Sequence, residues 1–158
     1  TRRPSVQTKA FTTACTKAVE MLAREDADLL VVGDTSSKMF PKELLPFTTR
    51  KTFGNGGIKV NFLVNYGWEW DLNNLTLTRD LTKSNTKNSI FNYLNSFDIS
   101  RVDLIIRWGG MRRLSGFLPA QSIYSDFYVI DDYWPDFNEK HLNDAIDWYS
   151  RRDITLGG

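Results

Sequence analysis

The chain has 158 residues, with Lys and Arg totalling 20 against 19 Asp and Glu, a formal net charge of +1 and a pI near 7.7. That length suffices for one domain with a sizeable core, and the charge balance gives no global reason to expect nucleic acid, although local basic clusters remain able to hold phosphate. The single cysteine, Cys15, excludes an intrachain disulfide framework and a cysteine zinc cluster.

The opening TRRPSVQTKAF has no hydrophobic signal core, and no apolar stretch reaches the roughly 18 residues that would read as a membrane span. From Pro4 to Glu25 the pattern predicts a helix whose inward stripe is Phe11, Cys15, Ala18 and Leu22. DLLVVGD then reads as a buried strand turning at Gly33 and Asp34. Residues 37–57 contain prolines and the run Gly54-Asn55-Gly56-Gly57, which leave room only for a short helix near Glu43. IKVNFLVN is expected to be a strand ending in NYGWEWDL.

Little periodicity appears in residues 73–89; SIFNYLNSF is expected to form a short helix, and RVDLIIR returns to strand. LSGFLPAQSIYSD is expected to be helical despite Pro119, and FYVI to be another strand. After Pro135 a last amphipathic helix should turn Leu142, Ala145, Ile146 and Tyr149 inward, leaving Asp144, Asp147 and Arg151 nearer solvent. Helices alternating with apolar strands predict an α/β fold with a mostly parallel central sheet flanked by helices. Residues 1–158 are expected to form a single domain, because the pieces on either side of 73–89 look too small for separate cores.

Open α/β sheets place ligand crevices at the carboxyl ends of their strands. The residues found there are GDTS at 33–36, NYG at 65–67 and RWGG at 107–110. Arg107, Arg112 and Arg113 can pair guanidinium donors with phosphate oxygens, and Ser115 can add a hydroxyl. Gly109 and Gly110 would let the backbone approach an anion, and a helix starting after them would present unpaired N–H groups. The competing reading is a tight turn with solvated arginines. Trp68, Trp70 and Trp108 lie beside these motifs, where they suit an amphiphile's hydrocarbon tail or simply the packing of the domain or a partner. Asp126, Asp131, Asp132 and Asp136 are the acidic residues available to a hard cation. His141 has no metal-ligand spacing and reads as an ordinary helix-surface residue, while Cys15 reads as structural.

The order of these motifs, and above all DLIIRWGGMRRLSGFLPAQSIYSDFYVIDDYWPDF, resembles the cis-prenyltransferases, the family of undecaprenyl and dehydrodolichyl diphosphate synthases. The resemblance runs from Arg3-Pro4 to the end of the chain and implies the undecaprenyl diphosphate synthase-like fold. It implies diphosphate binding by Arg3, Arg107, Arg113 and Ser115, with Gly109 and Gly110 shaping the pocket, Asn65 in a strand-end pocket motif, and Asp126 at a magnesium site. It further implies condensation of isopentenyl diphosphate with an allylic diphosphate and release of pyrophosphate. A homodimer is expected, or a heterodimer with a related subunit. Cytoplasmic residence is expected, either free in the cytosol or loosely attached to a membrane where a long product would emerge.

The family's first strand, its DGN-like phosphate motif with an essential aspartate, and an allylic-pocket helix precede the region that begins here at Thr1. No catalytic residue is therefore expected in this chain, which should represent the C-terminal portion of a longer enzyme and be inactive alone. The alternative is a noncatalytic accessory subunit or isoprenoid-diphosphate-binding protein. The chain departs from the family at Met111, where an acidic residue is usual, at Trp108 and Gly116, and at Thr155-Leu156-Gly157, which lacks an expected arginine. Neighbouring Arg151 and Arg152 are the candidates to compensate.

Overall fold

The computed structural model describes residues 4–77 and 91–152, which fall into two compact units divided between Phe97 and Asp98. Parallel strand pairs accompanied by helices make the chain a mixed α/β protein, as its alternating pattern predicts. Arg3 and residues 155–157 lie outside the described residues, as does most of 73–89.

The first unit opens with α1 (Pro4–Leu22). Proline is suited to a helix's first position because its missing N–H has no intrahelical partner there. Cys15 and Val19 of α1 pack against a core of Val31, Phe40, Leu44 and Val64. Phe11, expected on the same inward stripe, is instead 45% exposed, so the packed face is narrower than the periodicity suggests. β1 (Ala27–Val32) is buried along nearly its whole length because it is the middle strand. It pairs antiparallel with β2 (Lys51–Phe53) and parallel with β3 (Ile58–Leu63). The short helix expected near Glu43 is a 3-10 segment, Lys42–Phe47.

β2 was not expected, and its geometry explains the glycine run that follows. Phe53 and Ile58 both align with Ala27, so residues 54–57 cross over the start of β1 from one edge to the other. Asp26 anchors the crossing by accepting the Asn55 N–H at 2.8 Å, and a Cβ on Gly54 would stand 2.1 Å from that carboxylate oxygen. Gly54 also has φ 56°, in the left-handed region that glycine adopts without a Cβ penalty. On the next turn Asp28 accepts the Thr52 hydroxyl at 2.5 Å and the Gly57 N–H at 3.4 Å. β3 leads into α2 (Trp68–Leu77).

In the second unit β4 (Leu104–Trp108) pairs in parallel with β5 (Asp126–Ile130), in register from Leu104–Asp126 to Trp108–Ile130. The helix expected over LSGFLPAQSIYSD is absent; that segment is a series of turns. Ser115, Gly116 and Leu118 have φ of 52°, 76° and 39°, which cannot continue a right-handed hydrogen-bond ladder. Long-range bonds hold the turns instead: Val102 N–H donates to the Gln121 carbonyl at 3.0 Å, and the Ser125 hydroxyl to the Val102 carbonyl at 2.5 Å.

A 3-10 turn at Trp134–Asp136 precedes α3 (Glu139–Ser150), capped by Asn138, whose side chain accepts the His141 N–H. Ala145 is fully buried as expected, but Leu142 and Ile146 are 41% and 51% exposed. Aromatic contacts set the helix's rotation. Trp148 packs on Tyr128 at 5.3 Å, and His141 sits 6.3 Å from the Trp108 ring. Among the described residues no helix is long and apolar enough to cross a membrane.

Candidate functional site

Each unit carries polar loops at the carboxyl ends of its parallel strands. In the first unit the chain leaves β1 through Gly33-Asp34 and β3 through Val64-Asn65. These exits touch so closely that a Cβ on Gly33 would stand 1.6 Å from the Val64 carbonyl oxygen, so only glycine fits. Asp34 Oδ1 accepts the Ser36 N–H at 2.9 Å and the Ser36 hydroxyl at 2.6 Å, closing the GDTS turn on itself. Asn65 takes the left-handed conformation, φ 53°, and its Nδ2 donates to the Asp34 carbonyl at 3.2 Å. Asn65 and the GDTS turn are thereby one structural unit.

Beside them, Asp71 is fully buried in the first turn of α2. Its carboxylate accepts from the Ser96 N–H, the Ser96 hydroxyl and the Tyr66 hydroxyl, each at 2.7 Å. Asn95 Nδ2 donates to the Trp70 carbonyl at 2.6 Å. The NYGWEWDL segment is tied in this way to residues 95–96. Tyr66 also packs edge-to-face with Trp70 at 6.2 Å, so one of the candidate tail-binding rings is occupied within its own unit.

In the second unit the side chains of Arg107 and Arg113 converge. Arg107 Nη1 donates to the Arg113 carbonyl, and its Nη2 lies 3.3 Å from Ser115 Oγ and 3.8 Å from Met111 Sδ. Arg113 Nη2 reaches the same sulfur at 3.0 Å. Four expected or singled-out residues, Arg107, Met111, Arg113 and Ser115, therefore form one cluster around a thioether. Ser115 holds its position with a positive φ.

The backbone of this loop serves a different end from the one expected. Gly109 and Gly110 have φ of 84° and 69°, as a tight left-handed turn requires, but their N–H groups donate to the Asp132 and Ile130 carbonyls at 2.8 and 3.0 Å. No helix starts behind them. The glycines thus fasten the arginine loop to the end of β5 and offer no row of unpaired N–H groups; side chains carry the donors.

His141 also departs from expectation. Its side chain is largely buried; Nδ1 accepts the Trp108 Nε1–H at 3.3 Å, while Nε2 lies 3.2 Å from Asp132 Oδ2 and 3.2 Å from Asn138 Nδ2. Trp108 itself packs edge-on against Trp134 at 4.8 Å and Phe137 at 5.7 Å. Its ring braces the loop from inside. Sequence spacing held no signal for this, since His141 and Trp108 are 33 positions apart.

Asp126 opens β5, at the end opposite the arginine loop. Four register steps separate its pair with Leu104 from the Trp108–Ile130 pair, about 13 Å of strand. Its carboxylate lies 3.6 Å from Arg152 Nη2, and Arg152 stacks over Trp148 at 4.6 Å. Asp144, Asp147, Trp148, Arg151 and Arg152 line a cleft of about 410 Å³ at that end of α3. A lone carboxylate already facing a guanidinium does not complete a magnesium shell, and among the described residues no three His, Cys, Asp or Glu side chains gather around one point. Cys15 is no nucleophile candidate: burial pushes its thiol pKa up, away from the reactive thiolate.

Comparison with known proteins bears directly on the chain's ancestry. The family model described as "Putative undecaprenyl diphosphate synthase" matches residues 2–157. A ditrans,polycis-undecaprenyl-diphosphate synthase, (2E,6E)-farnesyl-diphosphate specific, from Aliivibrio fischeri is 34% identical over 170 residues, covering 99% of this chain and 66% of that protein. Proteins of the same description from Buchnera aphidicola of Schizaphis graminum and from Vibrio vulnificus YJ016 are each 31% identical, covering 99% of this chain and 68% and 67% of their own lengths. The chain spans about two thirds of the length of these relatives.

Proposed function

Because the chain belongs to the undecaprenyl diphosphate synthase family of prenyltransferases, we propose that it serves the condensation of isopentenyl diphosphate with an allylic prenyl diphosphate, with release of pyrophosphate. In this reading Arg107 and Arg113, with the Ser115 hydroxyl, hold the isopentenyl diphosphate headgroup. Guanidinium groups suit that task because they stay charged and present planar paired donors to phosphate oxygens. Gly109 and Gly110 act by fixing the loop that carries the arginines. Asn65 belongs to the reading as a strand-end pocket residue, and Arg3 as a further diphosphate ligand. The observation that carries the proposal is the convergence of Arg107 and Arg113 on one point, with Ser115 Oγ 3.3 Å from the Arg107 guanidinium.

During the reaction a carbon–oxygen bond to the allylic diphosphate breaks, a carbon–carbon bond forms and a proton leaves. Preorganised positive charge favours the steps in which anionic charge concentrates on phosphate. Magnesium is part of the proposal through the family resemblance, with Asp126 as one ligand that groups outside the described residues would have to join. Dimerisation and cytoplasmic residence with peripheral membrane contact are proposed on the same resemblance. The test is prenyl transfer from geranyl, farnesyl and longer allylic donors to labelled isopentenyl diphosphate with magnesium, using protein expressed from the complete coding sequence. Chain-lengthened product with stoichiometric pyrophosphate is expected; no product from any donor would overturn the reading.

A further inference from the structure

The sulfur of Met111 stands where the two clamp arginines meet, 3.0 Å from Arg113 Nη2 and 3.8 Å from Arg107 Nη2. A thioether carries no charge and accepts hydrogen bonds weakly. These contacts hold the guanidinium groups together without neutralising them, and a phosphate oxygen entering between them displaces only weak bonds. Arg112 adds a third permanent positive charge to the same loop.

Two carboxylates nearby offset part of that charge. Asp132, whose backbone carbonyl takes the Gly109 N–H, has its Oδ2 3.2 Å from His141 Nε2, and Asp131 Oδ1 lies 3.2 Å from where a Cβ on Gly110 would stand. Asp126 faces Arg152 at the opposite end of β5. Three guanidinium groups against these two carboxylates leave the loop net positive among the described residues.

We propose that Met111 makes this loop a metal-independent diphosphate clamp: the guanidinium groups supply the positive charge that a divalent cation would otherwise bring to the headgroup. The inference rests on the assignment of the loop as a diphosphate site and adds the form of the ligand, the metal-free diphosphate. A carboxylate at position 111 would reverse the behaviour. At 3.0 Å it would make charge-assisted pairs with the guanidinium groups, hold them in place and oppose an incoming anion, so that a bridging cation would become necessary.

Calorimetric titration with inorganic pyrophosphate and with isopentenyl diphosphate tests this, at constant ionic strength, in EDTA or in magnesium, with free pyrophosphate corrected for its own magnesium complex. Wild-type affinity is expected to agree within about threefold between the two conditions. Met111→Leu and Asp131→Asn should keep that independence, whereas Met111→Glu should bind at least about tenfold more weakly in EDTA and recover with magnesium. Binding by wild type only when magnesium is present would overturn the inference while leaving the clamp intact, and needs no variant to detect. Wild type binding neither ligand in either condition would instead remove the clamp, and the inference with it.

Discussion

Replacing Asp71 with alanine is expected to destabilise the first unit by about 3–5 kcal/mol, because three donors lose their shared buried acceptor at about 1–3 kcal/mol each and these costs do not fully add. Asp71 is fully buried, and three donors end on its carboxylate: the Ser96 N–H, the Ser96 hydroxyl and the Tyr66 hydroxyl, all at 2.7 Å. Each bond to a charged acceptor contributes about 1.5–3 kcal/mol, but bonds sharing one carboxylate do not add independently. The alanine variant would remove the carboxylate that these three donors share and leave a small void in its place. With a urea slope of about 2 kcal/mol per molar, the midpoint should fall by about 1.5–2.5 M. The amide proton of Ser96, whose acceptor has gone, should lose its exchange protection locally as well. Asp71→Asn keeps one acceptor oxygen and should cost about half as much. A midpoint shift under about 0.5 M, with Ser96 still protected, would show that the carboxylate is not what ties NYGWEWDL to residues 95–96.

Gly33→Ala places a methyl group 1.6 Å from the Val64 carbonyl oxygen, a backbone overlap that no side-chain rotation relieves. It should lower the thermal midpoint by several degrees and weaken the pairing of the β1 and β3 exits, seen as faster exchange of the Val64 amide; an unchanged midpoint would refute the close approach. Asp28 has its pKa lowered, first by the Thr52 hydroxyl, then by the Gly57 N–H, against an opposing effect of desolvation, with Arg50 and Lys59 adding lesser lowering. Because the folded value lies below the unfolded value of about 3.9, its contribution to stability is fully present above that pH and is lost as pH falls through the folded value. Carboxyl-carbon NMR titration should place Asp28 below the ordinary aspartate range in wild type and move it up in Thr52→Val; identical titrations in the two proteins would remove the hydroxyl as the cause.

The strands built from apolar and β-branched runs were legible because that composition suits a pleated, at least half-buried surface: β1 is buried along nearly its whole length, and most of β3, β4 and β5 is half-buried. DLLVV, IKVNFL, VDLII and FYVI each contain most of an observed strand. β2 was not legible: three residues, two of them exposed, become a strand only by pairing with β1. Residues 114–125 misled for a related reason. Their local composition suits a helix, but positive φ at Ser115, Gly116 and Leu118 and distant bonds to Val102 settle a different path.

In α3 the apolar period pointed to Leu142 and Ile146, whereas the rings of Trp108 and Tyr128 recruited His141 and Trp148 to the packed side. The arginine loop was visible as a collection of suitable donors at a strand end. Its wiring was not, because the carbonyls that take the Gly109 and Gly110 N–H groups come from Asp132 and Ile130, at and just beyond the end of the neighbouring strand.

The most direct measurement of the central claim is pyrophosphate affinity of the Arg113→Ala protein, read by calorimetry beside wild type. The Arg113 guanidinium reaches the Met111 sulfur in this loop, so its removal should leave the circular-dichroism spectrum unchanged. Losing one charge-assisted contact of about 1.5–3 kcal/mol predicts binding about 10- to 150-fold weaker. Affinity within twofold of wild type, in a folded protein, would contradict the account.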